Sequence, residues 1–449
     1  MKFTKKALAL LLALLMVLSL AAGSGNNDNP GGGGGGGGGG GKQKLTIWAL
    51  ADDMKQFAQK YQEATGTEVE VVVIAPADYP TKLQTAIRGN DTSVDIIMGE
   101  PQMLGDMFDY GAFASLDALG AGEYEGKLTD YVWEVGKDPD GVLRAVSYQV
   151  TPAGIFYRRD IAEDVFGTSD PNEISKYFTD YATVLKTAQT LKDKGYRCFS
   201  SDSDLNYFSS NEAWVVDGKL NLSQSRLNYM DLVVDLYQKD LTAYCSTWST
   251  PWYQAMGGPV PILDAGSNVW DENFAENTAD APTVEVFALS LPSWGVLTLR
   301  DHVGALSGKW GVCAGPGYGF GGGSFLGISE LSKNKDLAWD FIKFVCFNEE
   351  TADWWIEASE GDVVSLISAQ EKHKDDENPV YGNQKLYAMW SERAEHIDYS
   401  LVTQYDTAIG DAWGAAISAV KTGESSKEEA INNFYDKVHS TYPDLIIER

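Results

Sequence analysis

The stretch from Leu45 to Gly99 constrains the fold more than any other part of this chain. "LTIWAL" (45–50) reads as a buried strand, and Met54, Phe57, Ala58 and Tyr61 then recur at the i, i+3, i+4, i+7 spacing of one helix face, with Gly66 placed to end the helix. "VEVVVI" (69–74) is a second strand, "DYPTKLQTAIRGN" a helix with Asp78 as its expected N-cap, and "VDIIMG" (94–99) a third strand. A short helix carrying Met103, Leu104, Met107 and Phe108 follows, closed by Gly111. Strands alternating with helices of about ten residues are βαβ units, so the class is α/β with a mostly parallel sheet.

The remainder is less regular. "YQVTPAGIFYRRD" reads as a strand re-entering a structure, and Ser223 to Lys239 as a helix with Leu227, Met230, Val233, Val234 and Tyr237 on its apolar side. Tryptophan-rich loops occupy 247–310, and "FLGISELSKNKDLAWDFIKFVCFN" gives a short strand, a turn and an amphipathic helix. The last helix is expected to start with a capping box at Ser425 to Glu428.

Ahead of the foldable part stands a leader. Lys2, Lys5 and Lys6 precede an apolar run, Ala7 to Leu20, of the length of a secretory h-region, so residues 1–22 are expected to be an export signal with cleavage near Ala21. Leu20-Ala21-Ala22 also resembles the opening of a bacterial lipobox, but Gly23 stands where the lipid-bearing cysteine would be, which argues against an anchor at that position. Residues 23–43 are a glycine-rich tether with an r.m.s. reach of about 25 Å; the alternative is a low-complexity insertion without a role.

Several function classes are disfavoured. A formal charge of −29 argues against nucleic acid or an anionic membrane as the main partner. Cys198, Cys245, Cys313 and Cys346 form no C-x-x-C, and His302, His373, His396 and His439 lack ligand spacing, so no metal and no cofactor is expected. The cysteines read as buried thiols, with a Cys198–Cys245 disulfide permitted by an exported location. The formal G-x-G-x-x-G at Gly317, Gly319 and Gly322 is followed by a strand rather than the helix a dinucleotide needs. Neither G-x-S-x-G nor H-E-x-x-H occurs, and the chain is expected not to be an enzyme. Trp48 ends the first strand, and Trp248, Trp252, Trp270 and Trp294 crowd one irregular region. Each is either core or an aromatic platform for the C–H face of a sugar.

Taken in order, "LTIWAL…FAQKYQEATGTEVEVVV", "VDIIMGE", "GIFYRRDIAEDVFG" and "GKWGVCAGPGYGFGGGSFLGISELSKNKDLAWDFIKF" resemble extracellular solute-binding proteins of family 1, the receptors of ABC sugar importers. The resemblance spans essentially residues 44–445. It implies a two-lobed periplasmic-binding-protein-like α/β fold with a hinge and an interlobe cleft, lobe one being 44–150 plus 325–368 and lobe two 151–324 plus 369–449, with crossings near Val150, Phe325 and Ser368. It implies a monomer that captures a carbohydrate, an oligosaccharide for preference, by hinge closure, and hands it to a membrane permease outside the cell. By motif, the ligand residues are Trp48, Glu100, Tyr148, Gln149, Thr151, Trp270, Gly322, Gly323, Ser324 and Tyr405. Two alternatives stay open: a secreted glycoside hydrolase, and the same scaffold serving a peptide or a polyamine, for which Glu100 and Asp52 or Asp53 would supply charge.

Overall fold

In the computed structural model, β1 (Lys44–Ala49), α1 (Asp53–Thr65), β2 (Glu68–Val73), α2 (Tyr79–Arg88), β3 (Ile96–Gly99) and α3 (Pro101–Asp109) follow one another in the alternation that the apolar spacing predicts. The structure describes residues 44–209, 212–398 and 403–449, so the leader and tether readings lie outside the described residues. Met54, Phe57, Ala58 and Tyr61 are the buried face of α1, and Gly66 ends it in the left-handed region at φ 75°, its N–H donating to the Gln62 carbonyl. Asp78 precedes α2 without capping it through its side chain.

The chain continues through α4 (Asp130–Val135) and β4 (Ala145–Ser147) into a second sheet region: β5 (Ala153–Arg158), α5 (Arg159–Phe166), α6 (Tyr181–Asp193), β6 (Arg197–Phe199), α7 (Gln224–Gln238), α8 (Thr250–Gly257), β7 (Val286–Pro292), α9 (Gly295–His302) and β8 (Trp310–Cys313). β9 (Phe325–Ile328) then returns to the first sheet, followed by α10 (Lys335–Cys346), α11 (Glu349–Ser359), α12 (Leu386–Ala394), α13 (Asp406–Lys421) and α14 (Lys427–Thr441). The first sheet has the order β2-β1-β3-β9-β4 and the second β8-β5-β7-β6. β1 is parallel to β2 and β3, whereas β9 runs antiparallel to β3 and β4. In the second sheet β5 is antiparallel to both neighbours and β7 is parallel to β6. The sheets are therefore mixed. The parallel reading holds where local βαβ units build the sheet. It fails where a strand enters from the other sheet, because the side of entry sets its direction.

Each sheet carries its own aromatic packing. Around the first, the Phe57 ring lies 4.7 Å from Tyr148 and 4.6 Å from Trp355. Around the second, Phe178, Phe199 and Phe287 are fully buried, and Trp413 meets Phe434 at 5.2 Å to join α13 to α14. Fully burying one such side chain contributes about 1.5–3 kcal/mol. α14 begins one residue later than the Ser425–Glu428 reading: Ser426 is the cap, its hydroxyl accepting from the Glu429 N–H at 3.2 Å. The shifted frame has the same S-x-x-E spacing. All four cysteines are buried and free, so Cys198 and Cys245 are not joined, and burial pushes their thiols well up from the ordinary range. Among the described residues no helix is long and apolar enough to cross a membrane.

Candidate functional site

Three segments run side by side where the two sheets meet. The Val150 N–H donates to the Val363 carbonyl at 2.9 Å and the Ser365 N–H to the Tyr148 carbonyl at 2.7 Å. On its other side the first segment is held by Ala153 N–H to the Gly319 carbonyl at 2.7 Å and by Gly321 N–H to the Thr151 carbonyl at 3.2 Å. The side chains tie the same junction. Gln149 Nε2 donates to Asp362 Oδ2 at 2.7 Å, Thr151 Oγ1 to the Gly322 carbonyl at 3.1 Å, and the Tyr148 hydroxyl to the Asp53 carboxylate. The Tyr148 hydroxyl also meets Ser324. Tyr148, Gln149 and Thr151 are buried, with these polar groups bonded to protein. The structure brings them together as a junction rather than as an open ligand surface.

A cavity of ≈ 280 Å³ opens beside this junction. One wall is the start of α3, with Pro101 and Gln102, and the Gln102 amide donates to the carboxylate of Glu100 immediately before the helix. The opposite wall comes from the second sheet region: Tyr207, Trp214 and Arg226. Gly319 to Gly322 form part of the lining. The glycines have a steric reason here, since a Cβ on Gly319 would sit 1.9 Å from the Tyr207 carbonyl oxygen and one on Gly321 2.3 Å from the Tyr207 ring. Gly322 and Gly323 hold φ of 71° and 111°, which other residues rarely adopt.

The cavity is charged and partly dehydrated. Burial raises the Glu100 carboxyl against the opposing Gln102 bond, and burial raises Asp406, which also lines the cavity and accepts from Thr403 N–H and Oγ1 at 2.8 Å each. Arg226 stacks 3.7 Å from the Trp214 ring centroid and donates to the Asn221 carbonyl at 2.9 Å and to the Glu212 carbonyl. Its burial pushes the guanidinium down to about 10. The Tyr207 hydroxyl is raised, first by burial and then by the Asp204 and Glu100 carboxylates, so Glu100 acts electrostatically on a residue of the facing wall. Next to the cavity the walls touch: Thr407 Oγ1 donates to the Gln102 carbonyl at 2.9 Å.

Of the ten residues singled out by sequence, only Gly322 lines the cavity directly. Glu100, Gly323 and Ser324 are the sequence neighbours of lining positions or of the junction. Trp48 is 7 % exposed within the first core, under the Lys82 ammonium at 4.8 Å. Tyr405 immediately precedes α13, and its ring packs on Tyr442 at 5.1 Å; its neighbour Asp406 is the residue in the wall. Trp270 is 63 % exposed on the loop before Phe274 and lines no part of this cavity. Tyr207, Trp214 and Arg226 carried no motif and were missed. A larger cavity, ≈ 930 Å³, lies among Lys60, Asp353, Trp354, His373 and Tyr387. Four of its charged or titratable side chains are engaged with one another, His373 bonding Asp353 at 2.9 Å and Asp376 at 2.6 Å, and Lys372 pairing with the same Asp353. The smaller cavity lies beside the junction and is lined from both sheet regions. Among the described residues, no three His, Cys, Asp or Glu side chains are grouped to hold a metal.

Comparison with known proteins places this geometry. The family model of bacterial extracellular solute-binding proteins matches residues 56–376. No curated protein matches the chain. A solved extracellular solute-binding protein of family 1 is similar at a TM-score of 0.70 and 18 % identity, covering 89 % of this chain and 99 % of that one. An ABC transporter solute-binding protein from Thermotoga lettingae TMO, bound to α-D-tagatose, is similar at 0.68 and 16 %, with 89 % and 99 % covered. The GacH receptor of Streptomyces glaucescens GLA.O, solved unliganded and with acarbose, is similar at 0.66 and 16 %, with 90 % and 100 % covered. With a family match over most of its length and two sheet regions that meet around a cleft, the chain belongs to the bacterial extracellular solute-binding proteins.

Proposed function

We propose that the protein captures a carbohydrate in the ≈ 280 Å³ cleft and delivers it to the permease of an ABC importer. The observation that carries this reading is the composition of the cleft: aromatic rings of Tyr207 and Trp214 beside the polar groups of Gln102, Arg226 and Asp406, contributed by both sheet regions. Rings offer apolar faces to sugar C–H groups, and bidentate amide, carboxylate and guanidinium groups bond vicinal hydroxyls. The tagatose and acarbose bound by the two receptors above support the same ligand class. In this reading the lobes are 44–150 plus 325–368 and 151–324 plus 369–449, and closure bends the junction near Val150, Phe325 and Ser368. Glu100 and Gly322 to Ser324 border the ligand, while Tyr148, Gln149 and Thr151 act on it through the junction.

The test is a thermal-shift screen of residues 44–449 against a panel of neutral mono- and oligosaccharides, with spermidine and a tripeptide alongside. A ligand at a hundred times its Kd stabilises the native state by about 2.7 kcal/mol. A shift with one sugar series, and that sugar recovered intact, is the expected result. A shift with spermidine alone would transfer the site to a cationic solute bound by Glu100 and Asp406. Cleavage of the sugar would make the protein a hydrolase.

A further inference from the structure

β6 and β7 are parallel, so both leave the second sheet at the same edge, the one where open α/β sheets receive ligands. Trp294 stands two residues past the end of β7. Beside the end of β6 the Cys245 N–H donates to the Ser200 carbonyl at 2.8 Å, and Trp248 stands three residues further on. The two indoles stack, with centroids 5.6 Å apart and planes at 21°. Trp294 Nε1 donates to the Gly321 carbonyl at 3.0 Å, and Gly321 lines the cavity. The stacked pair is therefore tied to the cavity wall through Gly321, while neither indole lines the cavity itself.

Trp248 is built unlike a core residue. It is 48 % exposed, while Trp252 is 1 % exposed and packs on it with centroids 4.9 Å apart. Its backbone is left-handed at φ 71°, in the third position of the Ser246–Ser249 turn, whose Ser249 N–H donates to the Ser246 carbonyl at 3.0 Å. Glycine or asparagine ordinarily takes such a position, and a bulky aromatic there is a strained choice of the kind that gathers at ligand clamps. The result is a rigid indole, supported by aromatic neighbours and exposed elsewhere, so a ring stacked on it would order little that is not already ordered.

We infer that Trp248 is a platform for a second sugar ring, outside the cavity and continuous with it, so that the ligand is an oligosaccharide of at least two residues. This rests on the carbohydrate reading above. A cavity of ≈ 280 Å³ falls just under the roughly 300–1,000 Å³ of pockets for drug-sized ligands, so a longer glycan must continue beyond it. A pyranose ring matches what the platform offers, since its C–H face is apolar and its hydroxyl edge stays in water. Trp270, the other strongly exposed indole, has no comparable stacking support among the described residues.

Isothermal titration of the wild type, Trp248→Ala and Trp248→Phe with gluco-, galacto-, manno- and xylo-oligosaccharides of one to four residues tests this. Wild type should gain affinity with chain length. Trp248→Ala should remove that gain, about thirtyfold for a stacking anchor, while holding the shortest bound ligand within about twofold. Trp248→Phe should keep part of the gain, which also guards against an alanine variant that folds poorly. A wild type indifferent to length, or a gain that survives Trp248→Ala, would overturn the platform and leave the carbohydrate reading standing. Absence of binding to every sugar in the panel would overturn both.

Discussion

Asp362 is fully buried, and its carboxylate accepts from Gln149 Nε2 at 2.7 Å, Trp355 Nε1 at 2.9 Å and the Val363 N–H at 3.0 Å. Burial outweighs these donors and pushes the carboxyl up to about 7, with the Asp53 carboxylate adding in the same direction. In the unfolded chain an aspartate titrates near ~3.9. Because the folded value is the higher one, the proton is held more tightly by the folded state. The contribution is fully present below about pH 4 and is lost as pH rises through about 7. Asp204, also pushed up to about 7 by burial, acts with the same sign. Unfolding midpoints measured from pH 4 to 8 should therefore show Asp362→Asn gaining on wild type as pH rises, since the amide cannot ionise. A difference independent of pH would show that Asp362 stays charged in the fold. No sequence motif marks this residue; its burial is set by packing among partners such as Gln149, which is 213 positions away.

At the scale of elements, the contact between α3 and the approach to α13 is the second place where the cleft walls touch. Gly105 sits inside α3, where glycine ordinarily costs about 0.5–1 kcal/mol relative to alanine. A Cβ there would lie 2.7 Å from Gln404 Cα and 3.1 Å from Gln404 N, a clash with backbone that no rotamer can relieve. Gly105→Ala is thus expected to favour α3 by itself and to oppose the contact. If closure brings these elements together, the variant should bind the sugar found in the screen more weakly, with an unfolding midpoint in its absence equal to or above that of wild type. Titration calorimetry and a melt without ligand check both halves. An unchanged Kd would remove this contact from the bound state.

For the whole molecule the formal charge of −29 is the governing quantity. Such a surplus repels itself most strongly in the compact state, and salt screens it over a Debye length of about 10 Å at 0.1 M. The unfolding midpoint should rise between ~10 mM and ~150 mM NaCl for this reason. Affinity for a neutral sugar should hardly change over that range, whereas a cationic solute drawn in by Glu100 and Asp406 would weaken. The same titration thus probes stability and ligand class together.

The sequence by itself determined the local elements. Met54, Phe57, Ala58 and Tyr61 define the buried face of α1, Gly66 ends it, and the run to Gly99 gives three parallel strands, because an amphipathic period and a steric stop act over neighbouring residues. The glycine-rich turn before β9 was legible as a special position, and so was the crowd of tryptophans that includes Trp248 and Trp294. The site was much less legible. Trp48 looks like a ligand residue at a strand end, and Trp270 like one in a loop, yet one is buried in a core and the other stands apart from the cavity. Only the tertiary structure decided that β9 runs antiparallel between β3 and β4, and that Gln102, Tyr207, Arg226 and Asp406 share one cavity. The reason is physical: periodicity records which face of an element is buried, but a cleft is made by surfaces brought together from positions as far apart as 102 and 406. Their chemistry depends on the water excluded when they meet.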